Sequence, residues 1–424
     1  MTKLDLLNAK GYNFRMDKNQ LIPLIDEIEE LLSNRSSLKR ISFEKQIPKD
    51  IHSNNIIEGI EDDLVSIKNI IDTNEQRKNI KPTSEDNIED SMDNIRKVIA
   101  SRPYISEEIL DIHRDIGRKP VYHLFEENDK ENNRVLNLFK AYKYILKKKE
   151  INKENLRELY SLISEGLIIP IDLVHMGEYY RQDAVCITNK PYFDEKNEAI
   201  NYRLIDEYMN RLFEFINTYE TDSYTDKFLV SQIIHFYFVF VHPYFDCNGR
   251  TSRTLAMWYL LNNKANAFLN FNRSIPFSKG KYNRVIAYSK STSDITNFLK
   301  YMLNIEHSQL EKEYIISTME RTLGKKFTDD HYLLLEYFLS NNQESSLITL
   351  TQVFNNVNSH HFTLDEVEER ISPLIEDGII QQTGTTSKVL SSRNSYNPIY
   401  KLNGDIARID KSIIKRLNTN NLIN

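Results

Sequence analysis

The sequence of 424 residues is poor in glycine, proline and cysteine. Glycine and proline number 11 each, well below the roughly 7% and 5% that these residues reach in average proteins. Turns are therefore expected to be few and secondary-structure elements long, which favours helices. The two cysteines, Cys186 and Cys247, are too few for the disulfide framework of a small secreted protein.

A strong charge of one sign and a long apolar run are also missing. Lys and Arg number 55 against 61 Asp and Glu, which gives a net charge of −6 and no bulk attraction to nucleic acid or to an anionic membrane. The longest strongly apolar run, Phe236 to Val241, is far shorter than the roughly 20 residues that cross a bilayer. The opening MTKLDLLNAKGYNF lacks the apolar stretch of a secretory signal. We therefore expect a cytoplasmic protein with no membrane contact.

Helical periodicity dominates the first three quarters of the chain. Apolar residues recur at helical spacing over residues 21–32, 56–71, 136–145, 156–167, 203–217 and 227–241. The last of these helices is apolar nearly all round, which predicts that it lies buried at a domain centre. Residues 74–93 are polar and contain Pro82, so we expect a connector there. We predict three segments: a helical N-terminal region (1–135), a compact core (136–305) and a C-terminal domain (306–424).

One short segment before the C-terminal third has a β pattern. Between Gly177 and Asn189 the helical periodicity stops, and Val185 and Ile187 alternate with neighbouring residues that point to the other side. This alternation predicts a short strand or hairpin arm whose members are Ala184, Val185, Cys186, Ile187 and Thr188.

The C-terminal segment has the order of a winged helix-turn-helix. Helical patterns at 331–340, 350–357 and 364–376 precede strand-like runs at 379–383 and 398–402, with a Ser/Gly/Asn-rich loop before the second run. The third helix would be the one that reads DNA. Its start, LDEVEER, carries four acids that would face phosphates. The sequence therefore favours a protein contact or a homodimer over DNA binding.

The richest chemistry follows the buried helix directly. The run HPYFDCNGRTSR occupies residues 242–253 and leads into the helical pattern TLAMWYLL, which predicts a helix–loop–helix. An ordinary histidine has a pKa of about 6.5, so His242 is the residue of this run that suits a general base. Asp246 offers the oxygen ligand that Mg²⁺ prefers beside phosphate and water. Arg250 and Arg253 lie on nearly one helix face at a helix N-terminus, where phosphate groups bind.

This run resembles the signature of the Fic (filamentation induced by cAMP) family, H-x-F-x-(D/E)-G-N-G-R-x-x-R. The matching positions are His242, Asp246, Asn248, Gly249, Arg250 and Arg253. Tyr244 stands where the family has Phe, and Cys247 replaces the first Gly. A Cys at that position adds a side chain where a positive φ is wanted. The phosphate geometry is therefore the feature most affected.

The resemblance implies a mainly α fold, with a Fic-type helical core, a small β-hairpin flap and the C-terminal winged-helix-like domain. It implies transfer of AMP from ATP to a Tyr, Thr or Ser hydroxyl of a target protein, with release of pyrophosphate. The implied roles are base for His242, Mg²⁺ ligand for Asp246, anion site for Cys247, Asn248, Gly249 and Arg250, γ-phosphate ligand for Arg253, adenosine wall for Tyr282, and target-aligning flap for residues 184–188.

A built-in inhibitor is also implied, within residues 51–71. Family members often carry an inhibitory helix with the pattern (S/T)-x-x-x-E-(G/N), whose Glu pairs with the second Arg of the signature. Glu58 and Gly59 fit this pattern, while Asn54 occupies the Ser/Thr position. Asn54 and Glu58 are four residues apart and hence on one helix face. We expect Glu58 to compete with the γ-phosphate for Arg253.

Two other functions stay open on the sequence. The first is a different Fic-type reaction, phosphoryl transfer or removal of AMP; the Asn-Gly-Arg turn favours AMP transfer, because kinase-like Doc relatives carry Lys in place of Gly249. The second is a regulatory protein that binds through its winged helix and keeps a vestigial core. The retention of His242, Asp246 and both arginines argues against a vestigial site.

Overall fold

The computed structural model describes residues 3–9, 12–33, 43–60, 64–79, 127–168, 170–185, 187, 199–341, 344–357, 362–390 and 393–403. The predicted fold class is confirmed: the chain is mainly helical with a small antiparallel sheet. Most of the predicted connector, from residue 80, lies outside the described residues. Within the described ranges, no helix combines the length and the apolar character needed to cross a bilayer.

Apart from the one over 56–71, the helices predicted for the first three quarters are present, with shifted ends. The helices of this part of the chain are α1 (Ile22–Ser33), α2 (Phe43–Glu58), α3 (Leu64–Asn79), α4 (Glu127–Lys147), α5 (Lys153–Ser164), α6 (Pro170–Val174), α7 (Ile205–Thr218), α8 (Tyr224–Val241), α9 (Asn248–Asn262), α10 (Lys279–Thr292) and α11 (Thr296–Leu323). Short 3₁₀ turns lie at Lys3–Leu7, Lys18–Gln20, Tyr202–Leu204, Asn266–Phe268, Phe271–Arg273 and Pro276–Ser278.

The chain divides into two compact units that interleave along the sequence. One unit holds Met1–Lys68, Thr218–Ile234 and Ala256–Asn424, and the other holds Asn69–Asn217 and His235–Leu255. Both α8 and α9 pass from one unit into the other. The division does not follow the three consecutive segments expected from composition, whose boundaries stay predictions.

The predicted helix over 56–71 is wrong, because α2 stops at Glu58. Gly59 adopts φ 86°, a left-handed conformation that glycine tolerates best. Its N–H donates to Ile56 O at 3.0 Å, and the N–H of Ile60 donates to Asn55 O at 2.9 Å. These two bonds form a Schellman motif, which satisfies the last carbonyls of a helix and ends it. The Glu-Gly pair of the predicted inhibitory pattern is therefore also a helix C-terminus.

The charged stretch HSQLEKEY, residues 307–314, follows the predicted end of the core at residue 305 and lies in the middle of α11. Glu306, His307 and Glu311 are at most 3% exposed. His307 Nε2 lies 3.1 Å from Glu27 Oε2 of α1, so α1 covers this charged face. A boundary after residue 305 falls inside this continuous helix.

Glu306 is a buried acid whose replacement is expected to stabilise the protein at higher pH. It is fully buried, and its two carboxyl oxygens find no hydrogen-bond partner among the described residues. Burial, and secondarily the charge of Glu313, raises the pKa of Glu306 well above its ordinary value. An unfolded chain releases this proton above about pH 4.3, whereas the folded chain retains it. The free energy of unfolding therefore falls as pH rises, by up to about 1.4 kcal/mol per pH unit, until the raised pKa is passed.

Urea unfolding of Glu306→Gln beside wild type, at about pH 4 and about pH 8, tests this dependence. The variant is expected to match wild type in acid and to exceed it by at least about 1 kcal/mol at the higher pH. Glu320→Gln is the control on the same helix, since Glu320 Oε1 accepts the N–H of Phe327 at 2.7 Å; that variant is expected to lose stability. Equal losses in both variants would contradict the assignment.

The C-terminal region adds three helices and the sheet. The helices are α12 (Asp329–Asn341), α13 (Leu347–Val357) and α14 (Leu364–Glu376), and the strands are β1 (Ser345–Ser346), β2 (Ile380–Leu390) and β3 (Arg393–Leu402). The strands pair antiparallel in the order β1-β3-β2. Buried side chains of α12, α13 and α14 form one core with Ile380 and Tyr400 of the sheet.

Two details of this sheet differ from expectation. The Ser/Gly/Asn-rich stretch predicted as a loop is largely the paired hairpin of β2 and β3, which continues to the pair Leu390↔Arg393 with one irregularity near Gly384. Strand β1 was not predicted, because two residues cannot show a period-2 pattern.

The acids at the start of α14 have a structural role. Thr363 and Glu366 form a reciprocal capping box at this helix N-terminus, and acids in a first turn complement the helix dipole. Arg370 Nε donates to Asp330 Oδ2 at 2.8 Å and joins α14 to α12. The acids therefore have a structural explanation within the domain, and the expectation against DNA binding stays a prediction.

Candidate active site

The site is built on the predicted helix–loop–helix. Helix α8 ends at Val241 and α9 begins at Asn248. The N–H of His242 donates to Phe238 O at 2.9 Å, which closes the last turn of α8. His242 itself has φ 54°, a left-handed conformation that reverses the chain direction at the end of the helix. The imidazole is therefore carried by a residue whose backbone is fixed by a buried helix.

Asn248 fixes the loop between the two helices. Its Oδ1 accepts the N–H of Tyr244 at 3.0 Å, and its Nδ2 donates to Tyr244 O at 2.8 Å. Both backbone groups of one loop residue are thus satisfied by one side chain that is 2% exposed. The side-chain amide of Asn248 is engaged within the loop. The backbone N–H of Asn248 is therefore the group of this residue that suits an anion.

Cys247 immediately precedes α9 and fixes the start of that helix. Its carbonyl accepts the N–H of Thr251 at 2.9 Å, and its own N–H donates to Asp246 Oδ1 at 2.5 Å. It has φ 64°, so the conformation that the family assigns to Gly is kept with a side chain present. The Asn-Gly pair lies in the first turn of α9 rather than in a separate turn. Helix geometry directs the first N–H groups of α9 outward, where they suit an anion.

Both arginines of the run are buried beside this helix start. Arg250 is 5% and Arg253 1% exposed, and Arg250 Nη2 donates to Cys247 Sγ at 3.1 Å. Burial, and secondarily the positive charge of Arg253, lowers the pKa of His235 to about 3. His235 is therefore a neutral core residue, and the role of His242 as a base stays a prediction.

Tyr244 fills the core position where the family signature has Phe. Its ring stacks on Tyr160 with centroids 3.5 Å apart and lies 6.1 Å from the Tyr180 ring. The side chain is fully buried, and its hydroxyl has no hydrogen-bond partner among the described residues. Burial raises the pKa of this phenol above its ordinary value. The ring anchors the loop, while the hydroxyl contributes an uncompensated desolvation cost.

Tyr244→Phe is expected to stabilise the protein by about 1 kcal/mol, because it removes a buried polar atom and keeps the ring. Urea unfolding measures the change. The control is Tyr301→Phe, since the Tyr301 hydroxyl lies 2.7 Å from Ser278 Oγ and its loss is expected to destabilise. A stability loss in Tyr244→Phe as large as in the control would show that its hydroxyl is satisfied.

Residues of the predicted flap pack against Phe245 of the motif loop, which is the loop of residues 242–247 between α8 and α9. Ala184, Val185 and Ile187 belong to no named strand, and Cys186 and Thr188 lie outside the described residues. The N–H of Ala199 donates to Val185 O at 3.0 Å. Val185 and Ala199 form a small core with Phe245 of the motif loop, against which Met176 and Ile187 pack. The flap's role in aligning a target stays a prediction.

Comparison with known proteins identifies this helix–loop–helix. Residues 149–260 match the model of the Fic/DOC family. The chain contains a Fic domain. Its matched segment covers α5, α6, α7 and α8, the motif loop and most of α9. Fic proteins are generally group-transfer enzymes that use ATP and protein targets.

Among solved structures, the chain is similar to a Fic family protein from Desulfovibrio desulfuricans G20. The two sequences are 19% identical, the match covers 90% of this chain and 95% of that chain, and the TM-score is 0.47. No curated protein matches the chain.

Three residues assigned to the site lie in the other compact unit. Asn54 is fully buried, and its Nδ2 donates to Asp50 O at 3.1 Å and to Asp50 Oδ2 at 3.0 Å; these bonds hold its amide within α2. Glu58 is exposed at the end of α2. Tyr282 is 4% exposed and its ring lies 6.3 Å from that of Tyr301. The inhibitory and adenosine-binding roles stay predictions.

The Fic domain's donor set fits a magnesium ion that is completed by phosphate. Asp246 is half-buried and supplies one carboxylate. Within the described ranges, no cluster of three or more His, Cys, Asp or Glu side chains is arranged for a metal. Mg²⁺ is commonly bound by one or two carboxylates together with substrate phosphates and water, so a single acid beside an anion site suits it.

Arg181, which no motif in the sequence marks, lies against the motif loop of the Fic domain. It is 1% exposed, and its Nε donates to His242 O at 2.9 Å. The segment GEYYRQD carried no periodic pattern around it, and a lone Arg before a strand-like run reads as a surface residue. Its position is a result of the fold rather than of the motif.

Proposed function

We propose that the Fic domain transfers AMP from ATP to a Tyr, Thr or Ser hydroxyl of a protein target. The observation that carries this proposal is the fixed loop between α8 and α9, which holds His242 at one end and the start of α9 at the other. The buried guanidinium groups of Arg250 and Arg253 add positive charge at the same helix start. A base and an anion site held on one rigid element suit phosphoryl-centre chemistry, which depends on positioning and charge stabilisation.

The reaction needs one bond formed and one broken. The target oxygen bonds to the α-phosphorus of ATP while the bond from that phosphorus to the bridging oxygen breaks, and pyrophosphate leaves. His242 accepts the proton of the attacking hydroxyl. The N–H groups at the start of α9, with Arg250 and Arg253, bind the phosphate oxygens. Asp246 would hold Mg²⁺, which when bound neutralises charge on the phosphates.

Gly249 favours AMP transfer over the kinase-like alternative. It is the second residue of α9, where the absence of a side chain lets phosphate approach the backbone. The binding-protein alternative relies on the C-terminal domain, whose acidic α14 start is accounted for by its capping box.

Position-specific labelling distinguishes the reactions. Purified protein is incubated with Mg²⁺-ATP labelled at the α- or γ-phosphate, alone and with a panel of hydroxyl-bearing protein substrates. Incorporation of the α-label with a gain of adenylate mass is expected. Incorporation of only the γ-label would establish phosphoryl transfer, and loss of adenylate from a premodified substrate would establish AMP removal. Calorimetry without affinity for Mg²⁺-ATP, also after Glu58→Gly, would overturn the proposal.

We also propose that Glu58 inhibits this activity. An acid at a helix C-terminus is unfavourable by about 0.3–1 kcal/mol against the helix dipole, so helix stability does not account for it. Lys279 Nζ donates to Ile56 O at 3.2 Å and offsets that cost at the same helix end. Glu58→Gly is expected to raise the rate of AMP transfer. Glu44→Gly, at the start of α2, is the matched control; equal rates in wild type and Glu58→Gly would contradict an inhibitory role.

A further inference from the structure

We propose that Arg181 is a positioning residue that joins the catalytic loop, residues 242–247, to Asp183 and Ile200, which lie on either side of the segment that contains the predicted target-aligning flap (184–188). The inference rests on the proposed function, because it concerns where the target hydroxyl lies relative to His242. Arg181 belongs to the same compact unit as the motif loop. It is 1% exposed, so its guanidinium acts inside the protein rather than on solvent.

Arg181 binds two consecutive carbonyls of the catalytic loop. Its Nε donates to His242 O at 2.9 Å, and its backbone N–H donates to Pro243 O at 3.0 Å. These carbonyls follow the end of α8 and lie beyond its helical hydrogen bonds. His242 adopts φ 54°, which is uncommon for a residue with a side chain and needs support from its surroundings. Arg181 supplies that support on the carbonyl side of His242.

The same guanidinium binds a backbone carbonyl on each side of the segment that contains the predicted flap. Nη1 donates to Asp183 O at 2.5 Å, and Nη2 donates to Ile200 O at 2.5 Å. Asp183 immediately precedes the predicted flap, and Ile200 follows Ala199, which is bonded to Val185. One planar group thus holds three carbonyls from three parts of the chain in a fixed mutual geometry. A lysine ammonium has no such planar fork.

In the proposed reaction this network sets the distance between the His242 imidazole and the target hydroxyl. The inference includes the predicted role of the flap, which is to present the target main chain; His242 must then lie within hydrogen-bond reach of the target hydroxyl. A misplacement of about 1 Å costs on the order of a hundredfold in rate. The anion site lies on α9, which Arg181 does not bond in any of these contacts. Loss of Arg181 is therefore expected to affect target use and transfer rate, and to leave nucleotide affinity largely intact.

Arg181→Lys tests this inference, with Arg157→Lys as the matched control. Arg157 Nε also donates to a loop carbonyl, Glu178 O at 2.8 Å, but not to the catalytic loop or the flap in the contacts described. We expect Arg181→Lys to lower kcat about 10- to 100-fold and to raise KM for the protein target. The Kd for Mg²⁺-ATP is expected to stay within about twofold, and the control is expected to behave as wild type. Arg181→Lys with wild-type kinetics, or with parallel loss of nucleotide affinity, would overturn the inference.

Hydrogen exchange in the nucleotide-free protein provides a readout that needs no activity. Arg181→Lys is expected to speed exchange of the Ala199 amide. The bond of this amide to Val185 O depends on the positions of Asp183 and Ile200, which Arg181 holds. Exchange in α4 and α5 is expected to stay unchanged. Unaltered exchange at Ala199 would refute the link to the flap even if AMP transfer is absent. Conversely, faster exchange without any transfer in wild type would refute the proposed function alone.

Discussion

Replacing His242 by alanine is expected to lower the rate of AMP transfer by about 100- to 10,000-fold, the usual contribution of a general base. The loop is held by the bonds of Asn248 to Tyr244 and of Arg181 to His242 O, and these use no atom of the imidazole. Truncation of the side chain therefore leaves the anion site in place. The Kd for Mg²⁺-ATP by calorimetry is expected to change little, so the loss falls on kcat.

The matched control is His331→Ala, which removes an imidazole at the start of α12 in the other compact unit. Wild-type transfer is expected from this variant. Full transfer by His242→Ala would remove the base from the mechanism. Loss of nucleotide affinity equal to the loss of rate would instead assign His242 to binding.

The helix–loop–helix that holds the candidate site was predictable from sequence because it is local. His242, Asp246 and the two arginines lie within one short run, and the apolar helix before it and the helical pattern after it fix the loop between them. The helix end at Gly59 could also have been predicted, since Gly at the end of an apolar pattern is a common helix stop. The residues before and after Gly59 were instead assigned to one helix, over 56–71, because their apolar spacing continues in phase.

The contacts that hold the site were not predictable in the same way. Arg181 binds backbone carbonyls, which every residue possesses, so no partner side chain marks its role in the sequence. Asn248 carries out a loop function with atoms that the motif suggests for phosphate. The charged composition after residue 305 indicates a domain boundary, whereas these residues belong to α11 and α1 covers their charged face through the His307–Glu27 pair. Burial of charge depends on partners distant in sequence, which periodicity does not report.

Asn248→Ala is expected to lower the free energy of unfolding by about 2–4 kcal/mol. The change leaves the N–H and the carbonyl of Tyr244 without the partners that the amide supplies, in a part of the loop that is fully buried. An unpaired buried donor or acceptor costs about 1–3 kcal/mol, and two are created here. Urea unfolding with an unchanged m-value measures the loss.

Asn248→Asp and Asn263→Ala separate the loop's needs from those of the anion. An aspartate can still accept the Tyr244 N–H but cannot donate to Tyr244 O, so about half of the loss is expected. The negative charge of this aspartate at the start of α9 repels phosphate. The loss of binding free energy for Mg²⁺-ATP is therefore expected to exceed the loss of free energy of unfolding. Asn263 donates to Tyr259 O at 2.9 Å beyond the other end of α9, and its loss is expected to cost no more than about 1 kcal/mol. Equal losses in Asn248→Ala and Asn263→Ala would show that the loop does not depend on the amide.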